Sequence, residues 1–238
     1  VGSEMCIRDS KDIQQMKMRQ YYQNMKLHIP YKLRSLGNQN KQRVMIIGID
    51  GACLSILSSL IKEGQLPNLK RLMENGFCAK HNSSPFFQSY NAWSSLITGT
   101  NSAKNGIYSY ETKIPGEYKF VATNSKMRAN KAYWRILSDY GRKVVVLDIP
   151  GTYPAEKVNG IMVTSLYTPK GACFTYPEDL SQPLSRCGYS PRPPEVHTEK
   201  RHHQRLEEIF QLANFLKRTD WDCFCLLYTS PSPRDLST

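Results

Sequence analysis

The feature that most constrains the fold is an apolar run ending in a carboxylate, VMIIGIDG at residues 44–51. A continuous run rich in Ile and Val predicts a strand covered on both faces, as in a parallel sheet. Similar runs occur at 143–149 and 161–165. Asp50 would end the first strand, at the edge where open α/β sheets bind their ligands.

Helical patterns alternate with these strands, which predicts the α/β class. Apolar spacing, Gly stops and a Pro in a first turn predict helices at 55–62, 68–75, 92–97, 131–140 and 206–216. Two further short strands are predicted at 77–80 and from 222 onward.

A second pattern, SYNAWSSLITG at 89–99, places the hydroxyl of Ser89 just before a short helix. The unpaired N–H groups and positive end of a helix can face an anion, and a hydroxyl whose pKa is lowered by a metal can act as a nucleophile. The Asp50 carboxylate suits Zn²⁺, Mg²⁺ or Mn²⁺. Taken alone, Asp50 is slightly more typical of a turn or capping residue than of a ligand, and Ser89 is more often an ordinary cap.

The charge of the chain is strongly positive, with a formal net charge of +12. Residues 11–42 carry basic side chains throughout and one acid, Asp12. Such an arm either binds nucleic acid or an anionic membrane or forms a solvated leader. The cysteines are scattered without metal-ligand spacing, which favours a reducing compartment such as the cytoplasm. No apolar run reaches membrane-spanning length.

The two ends resemble the translation of a single sequencing adapter, read on opposite strands, at residues 1–10 and 225–238. We therefore expect the protein-derived part to comprise a basic leader at 11–42 and part of a catalytic domain at 43–224. A segment rich in Pro, His and charge at 187–204 is expected to be a lid or insertion.

Several longer motifs occur between residues 43 and 169: IIGIDGA, LIKEGQLPNLKRLMENG, SYNAWSSLITGTNSAKNGIYSY and AYWRILSDYGRKVVVLDIPGTYPAEKVNGIMVTSLYTP, with TDWDCF further on. With these motifs the chain resembles the N-terminal half of the type I phosphodiesterase/nucleotide pyrophosphatase group of the alkaline phosphatase superfamily. The resemblance implies a mixed, mostly parallel sheet flanked by helices, truncated before its C-terminal half. It also implies a metal-dependent phosphohydrolase or phosphodiesterase for a small-molecule phosphate ester or diester, with no nucleic-acid partner.

The resemblance implies a site with two divalent metal ions, taken as Zn with Mg or Mn as alternatives, and a Thr or Ser nucleophile. Carried over, Asp50 matches the first metal ligand, and Ser89 matches the nucleophile, which also contacts a metal. The N–H of Tyr90 would stabilise charge on the phosphoryl group. Tyr110 and Asp148 are candidate substrate-binding residues.

Some positions differ from the family pattern. Asn91 replaces a Pro, which predicts a looser turn, and Asn105 replaces a His. The alternative role for Asp148 is to bind backbone donors in the turn at 150–151. The family's other metal ligands are expected beyond the TDWDCF strand, so this chain alone should be inactive and bind metal poorly. A different hypothesis is a non-enzymatic binding module that uses the basic arm on nucleic acid or anionic lipid.

Overall fold

The computed structural model describes residues 42–82, 88–192 and 199–229. The basic leader, apart from Gln42, and the adapter-like ends, apart from residues 225–229, lie outside these ranges, so their assignments stay predictions. The strands are β1 (Val44–Asp50), β2 (Glu111–Lys113), β3 (Phe120–Ala122), β4 (Val144–Ile149), β5 (Gly160–Thr164), β6 (Thr175–Tyr176) and β7 (Cys223–Thr229). The α-helices are α1 (Leu54–Lys62), α2 (Pro67–Glu74), α3 (Ser89–Thr98), α4 (Ser102–Asn105), α5 (Tyr133–Asp139), α6 (Ser181–Arg186) and α7 (Glu199–Leu216).

Five of the strands form one sheet in the order β1-β7-β4-β5-β6. The first four run parallel, and β6 pairs antiparallel with β5. Strands β2 and β3 form a separate antiparallel hairpin. The mixed, mostly parallel sheet with flanking helices confirms the predicted fold class.

The core lies on both faces of the central strands. Alternate residues of β4 point to opposite sides: Val145 and Leu147 pack with α7, whereas Val144 and Val146 pack with Ile97 of α3 and Trp134 of α5. Because the side chains of a strand alternate in direction, a strand covered on both faces must be apolar throughout. The continuous apolar run of β4 therefore has the burial that its sequence predicts.

The prediction that β1 is covered on both faces is wrong for the described residues. This strand lies at the edge of the sheet, and Val44, Met45, Ile47 and Ile49 are 44–58% exposed. Neither α1 nor α2 contributes a buried residue. The apolar run specifies a strand, but its coverage depends on which other elements pack against it.

Two other local predictions differ from the structure. Residues 77–80, predicted as a strand, have no regular structure, and Phe77 is 94% exposed. Helix α7 begins at Glu199 rather than near Leu206. Residues 199–204 of the predicted lid thus belong to α7, while 193–198 lie outside the described residues.

Gly48 permits a close approach of α3 to β1. A Cβ atom at this position would overlap the Trp93 indole and would also lie 3.0 Å from Leu227 Cδ1. Because interiors are close-packed, a single methyl group here must displace the indole or the strand. The position therefore needs glycine for packing, not for its backbone angles.

We predict that Gly48→Ala lowers the free energy of unfolding by about 1–3 kcal/mol, because the added methyl group overpacks the contact with Trp93. Urea denaturation measures this change. In a Trp93→Leu background the cost of Gly48→Ala should be clearly smaller, because the smaller side chain leaves room. An equal cost in the two backgrounds would contradict the steric explanation.

Candidate active site

The fold brings together Asp50, near the end of the first motif, and Ser89, the first residue of the second motif. Asp50 is the last residue of β1, and Ser89 is the first residue of α3, 39 positions later. The Ser89 hydroxyl oxygen lies 3.4 Å from both oxygens of the Asp50 carboxylate. Both residues are half-buried, so the pair remains open to a ligand.

This meeting follows from the direction in which α3 crosses β1. Trp93, four residues after Ser89, packs against Gly48, two residues before Asp50. Four helical residues rise about 6 Å, and two strand residues rise about 6.6 Å. Since the two spacings nearly match and the elements run in opposite directions, the contact at Trp93 places Ser89 beside Asp50.

The structure gives different answers on whether Ser89 and Asp50 serve as cap or turn residues. Gln88, not Ser89, is the N-cap of α3, and its side chain makes no capping hydrogen bond. Ser89 is thus inside the helix rather than just before it. Asp50 does accept a hydrogen bond from the Gly51 N–H at 3.0 Å, which is the turn role left open by its sequence context. Its second oxygen can still face a ligand.

Tyr90 is the second residue of α3, ahead of the first helical hydrogen bond, from the Ala92 N–H to Gln88 O at 3.0 Å. Early N–H groups have no acceptor within their own helix. The Tyr90 side chain points inward, is 2% exposed and donates to Thr123 O at 2.5 Å. Burial raises the pKa of Tyr90 well above its ordinary value, so its hydroxyl stays protonated.

Tyr110 belongs to an aromatic cluster that includes Tyr90, the residue after Ser89. Its ring centroid lies 5.2 Å from that of Tyr90 and 5.5 Å from that of Tyr167. Tyr110 is half-buried and Tyr167 is exposed, so the cluster has a solvent-facing side. Sequence reasoning missed Tyr167, although an aromatic residue shortly after the end of a parallel strand was an available signal.

Asp148 lies at a register irregularity of β4, is 4% exposed and has a positive φ of 60°. Its Oδ1 accepts a hydrogen bond from Arg205 Nη2 at 2.9 Å. Burial raises the pKa of Asp148, and the positive charge of Arg205 acts against this rise. Because β7 lies between β1 and β4, the ends of these two strands are roughly 10 Å apart. The substrate contact of Asp148 stays a prediction.

Asn91, at the position where the family pattern has a proline, has an anchored side chain, and the looser turn stays a prediction. Its side chain is fully buried, and its Nδ2 donates to Ile107 O at 3.0 Å and to Ser102 Oγ. Asn105 is also buried and donates to Thr100 O at 2.9 Å. The Asn91 amide thus ties α3 to α4 and to Ile107 beyond it, and the Asn105 amide ties α4 to the residues between α3 and α4.

The described residues do not complete a metal site. Among 42–82, 88–192 and 199–229, no group of three or more His, Cys, Asp or Glu side chains is placed to hold an ion. Asp50 and Ser89 offer one carboxylate and one hydroxyl. In the same ranges, no helix has both the length and the hydrophobicity needed to span a bilayer.

The mixed, mostly parallel α/β sheet, with a carboxylate and a hydroxyl at its carboxyl edge, matches the fold of alkaline-phosphatase-like proteins. Within that class, residues 44–231 match the family model described as type I phosphodiesterase / nucleotide pyrophosphatase. The match covers most of the chain, and the chain belongs to this family. The resemblance found in the sequence is confirmed.

Solved structures show the same fold. Phosphonoacetate hydrolase from Sinorhizobium meliloti 1021 in complex with phosphonoformate matches with a TM-score of 0.59 and 19% identity, over 82% of this chain and 50% of that one. Murine ectonucleotide pyrophosphatase / phosphodiesterase 5 matches with a TM-score of 0.51 and 16% identity, over 80% of this chain and 44% of that one. The chain spans half or less of the length of these proteins. A comparison with curated protein sequences gives no match.

We predict that Asn91→Ala lowers the free energy of unfolding by about 1–3 kcal/mol, because it leaves the buried Ile107 carbonyl without this donor. Urea denaturation measures the effect. Asn75→Ala is the matched control: the Asn75 Nδ2 donates to Arg71 O at 2.8 Å, but in an exposed position, so its loss should cost less than about 0.5 kcal/mol. Similar losses at the two positions would contradict the anchoring role of Asn91.

Proposed function

We propose that this chain carries the N-terminal part of the catalytic domain of a metal-dependent phosphoric ester hydrolase. Its substrate is a small-molecule phosphate ester or diester, and Ser89 is the nucleophile. The observation that carries the proposal is the approach of Ser89 Oγ to the Asp50 carboxylate at 3.4 Å, in a chain that belongs to the type I phosphodiesterase/nucleotide pyrophosphatase family.

The chain's own residues divide the work in this proposal. Ser89 Oγ forms a bond to phosphorus as the ester oxygen leaves, and water then releases the phosphoryl group from Ser89. The Tyr90 N–H, in the first turn of α3, donates to a phosphoryl oxygen, and the positive end of the helix favours the charge that develops there. Tyr110, with the exposed Tyr167 beside it, contacts the remainder of the substrate.

Two divalent metal ions, Zn or else Mg or Mn, would supply Lewis-acid stabilisation of the reacting oxygens in the complete enzyme. Asp50 and Ser89 are the described residues that would help to hold them. Support for metal dependence comes from the family and from the half-buried carboxylate, and in this proposal the further ligands come from residues beyond the described ranges.

The position of β7 supports the proposal that the missing ligands follow it. This strand pairs with β1 in parallel, with Thr229 opposite Asp50. The carboxyl end of β7 therefore lies at the same edge of the sheet as Asp50. The solved neighbours are about twice the length that this chain covers, which leaves room for such ligands in a longer protein.

The first test is to read the source DNA past the codon for Phe224, to express the extended protein and to assay bis(4-nitrophenyl) phosphate with added Zn²⁺, Mg²⁺ or Mn²⁺. We expect hydrolysis, and Ser89→Ala should reduce it by a factor on the order of 10³ or more. Ser95→Ala, in the same helix, is the control and should leave the rate within about twofold. Equal rates for Ser89→Ala and the parent would rule out the nucleophile.

We also predict that the 238-residue chain alone is inactive on the same substrate, because its described residues hold no complete metal site. If this chain hydrolyses the substrate and Ser89→Ala abolishes that hydrolysis, the prediction that its metal site is incomplete is wrong. If the extended protein shows no activity but binds nucleic acid or anionic vesicles in a salt-dependent way that deletion of 11–42 removes, the binding-module hypothesis replaces the enzyme.

A further inference from the structure

Asp148 combines three features that together require an explanation. It lies where the pairing of β4 with β5 shifts register, its backbone has a φ of 60°, and its carboxylate is almost fully buried. A positive φ is uncommon outside glycine, and such strain persists only where the surroundings enforce it. The surroundings of Asp148 should therefore show what enforces this conformation.

Arg205 of α7 holds the Asp148 carboxylate from 57 residues away. Its Nη2 donates to Asp148 Oδ1 at 2.9 Å and to the Tyr189 hydroxyl at 3.3 Å, and its Nη1 donates to Ser190 O. The guanidinium also lies 4.7 Å from the centre of the Tyr189 ring. One side chain thus ties the end of β4 to α7 and to residues 189–190.

The turn that follows Asp148 is held from several sides. Thr152 Oγ1 donates to Ile149 O at 2.7 Å and accepts from the Ser165 N–H at 3.3 Å. Arg128 Nη1 donates to Gly151 O at 3.2 Å. The path of residues 149–152 is therefore fixed once the irregularity at Asp148 is in place.

This turn contacts the Tyr90 ring. A Cβ atom at Gly151 would lie 3.2–3.3 Å from Cζ, Cε1 and Oη of Tyr90, so the glycine lets the backbone reach the ring. The Tyr90 hydroxyl is fixed on its far side by Thr123 O at 2.5 Å. Since Tyr90 follows Ser89 directly, the position of its ring influences the first turn of α3.

We propose that Asp148 and Arg205 form a positioning pair for the candidate active site: the ion pair holds the end of β4, the turn at 149–152 seats Tyr90, and Tyr90 steadies the first turn of α3, where Ser89 faces Asp50. The importance of this role for hydrolysis rests on the proposed function, whereas the mechanical coupling does not. In this role Asp148 acts through Tyr90, and the role does not depend on a contact with the substrate.

Amide hydrogen exchange followed by NMR on the full 238-residue chain tests the coupling without any need for activity. The reporter is the Ala92 N–H, whose bond to Gln88 O closes the first turn of α3, and the reference is the Tyr140 N–H, bonded to Ile136 O at the end of α5. We expect Asp148→Asn and Arg205→Lys to raise the exchange rate of Ala92 relative to Tyr140 by about tenfold or more, because half of a buried pair is lost or misplaced.

A matched control lies at the other end of the same strand. Lys143, just before β4, pairs with Asp220 at 2.7 Å, and both side chains are partly exposed. Asp220→Asn removes an ion pair of β4 without touching the path to Tyr90. It should leave the ratio of the Ala92 and Tyr140 exchange rates within about twofold.

A double-mutant cycle checks that the effect passes through Tyr90. Tyr90→Phe removes the hydroxyl that holds the ring to Thr123 O, so it should also raise the Ala92 rate. Combined with Asp148→Asn, the effect should be smaller than the product of the two separate fold-changes, because both variants loosen the same ring. If the fold-change in the double variant equals the product of the two separate fold-changes, the turn does not act on α3 through Tyr90 and the proposal is overturned.

The remaining outcomes also decide. If both pair variants raise the Ala92 and Tyr140 rates equally, or change neither, the pair only stabilises the fold and the positioning role is wrong. If Asp148→Asn does not fold, Arg205→Lys decides. If neither folds, the pair serves the whole fold and the proposal fails. None of these outcomes changes the expected effect of Ser89→Ala on the extended protein.

Discussion

The close packing of α3 on β1 at Gly48 is the constraint on which the candidate site depends. Because Gly48 has no side chain, the Trp93 indole can lie directly against the strand. The antiparallel course of helix and strand then makes Ser89 meet Asp50 one helical turn away. A residue with no chemical role thus sets the distance between the two residues proposed to carry the chemistry.

The sheet topology explains why this edge strand is held at all. Strand β7 comes last in the described chain yet lies between β1 and β4, so β1 is attached to the sheet only through a partner far away in sequence. The sequence predicts that residues 225–229 of β7 derive from an adapter. This origin stays a prediction. Physically they suit a central strand, since Cys225, Leu226 and Leu227 are buried, and the family model includes them.

Local pattern was enough to predict β4, β5 and the end of β1 at Asp50, whereas the helix that begins at Ser89 was expected to begin only at Ala92. These features depend on apolar runs and on turn residues that lie within a few positions of one another. The burial of β1 could not be predicted this way, because coverage depends on distant elements. The same holds for the pairing of Asp148 with Arg205, which are 57 residues apart. The replacement of the family's proline by Asn91 did not predict that the Asn91 amide would anchor α3 by its hydrogen bond to Ile107 O.

The polar groups of this region form two layers with different properties. Ser89 and Asp50 are half-buried and 3.4 Å apart, a loose contact that leaves room for a ligand. Elsewhere in this region, Tyr90, Asn91, Asp148 and Arg205 are bonded at 2.5–3.0 Å with little exposure. Burying such groups costs desolvation free energy, but once each has its partner, alternative arrangements leave a donor or acceptor unpaired. In the proposed arrangement this second layer holds the first turn of α3, while the packing of Trp93 on Gly48 sets the distance between Ser89 and Asp50.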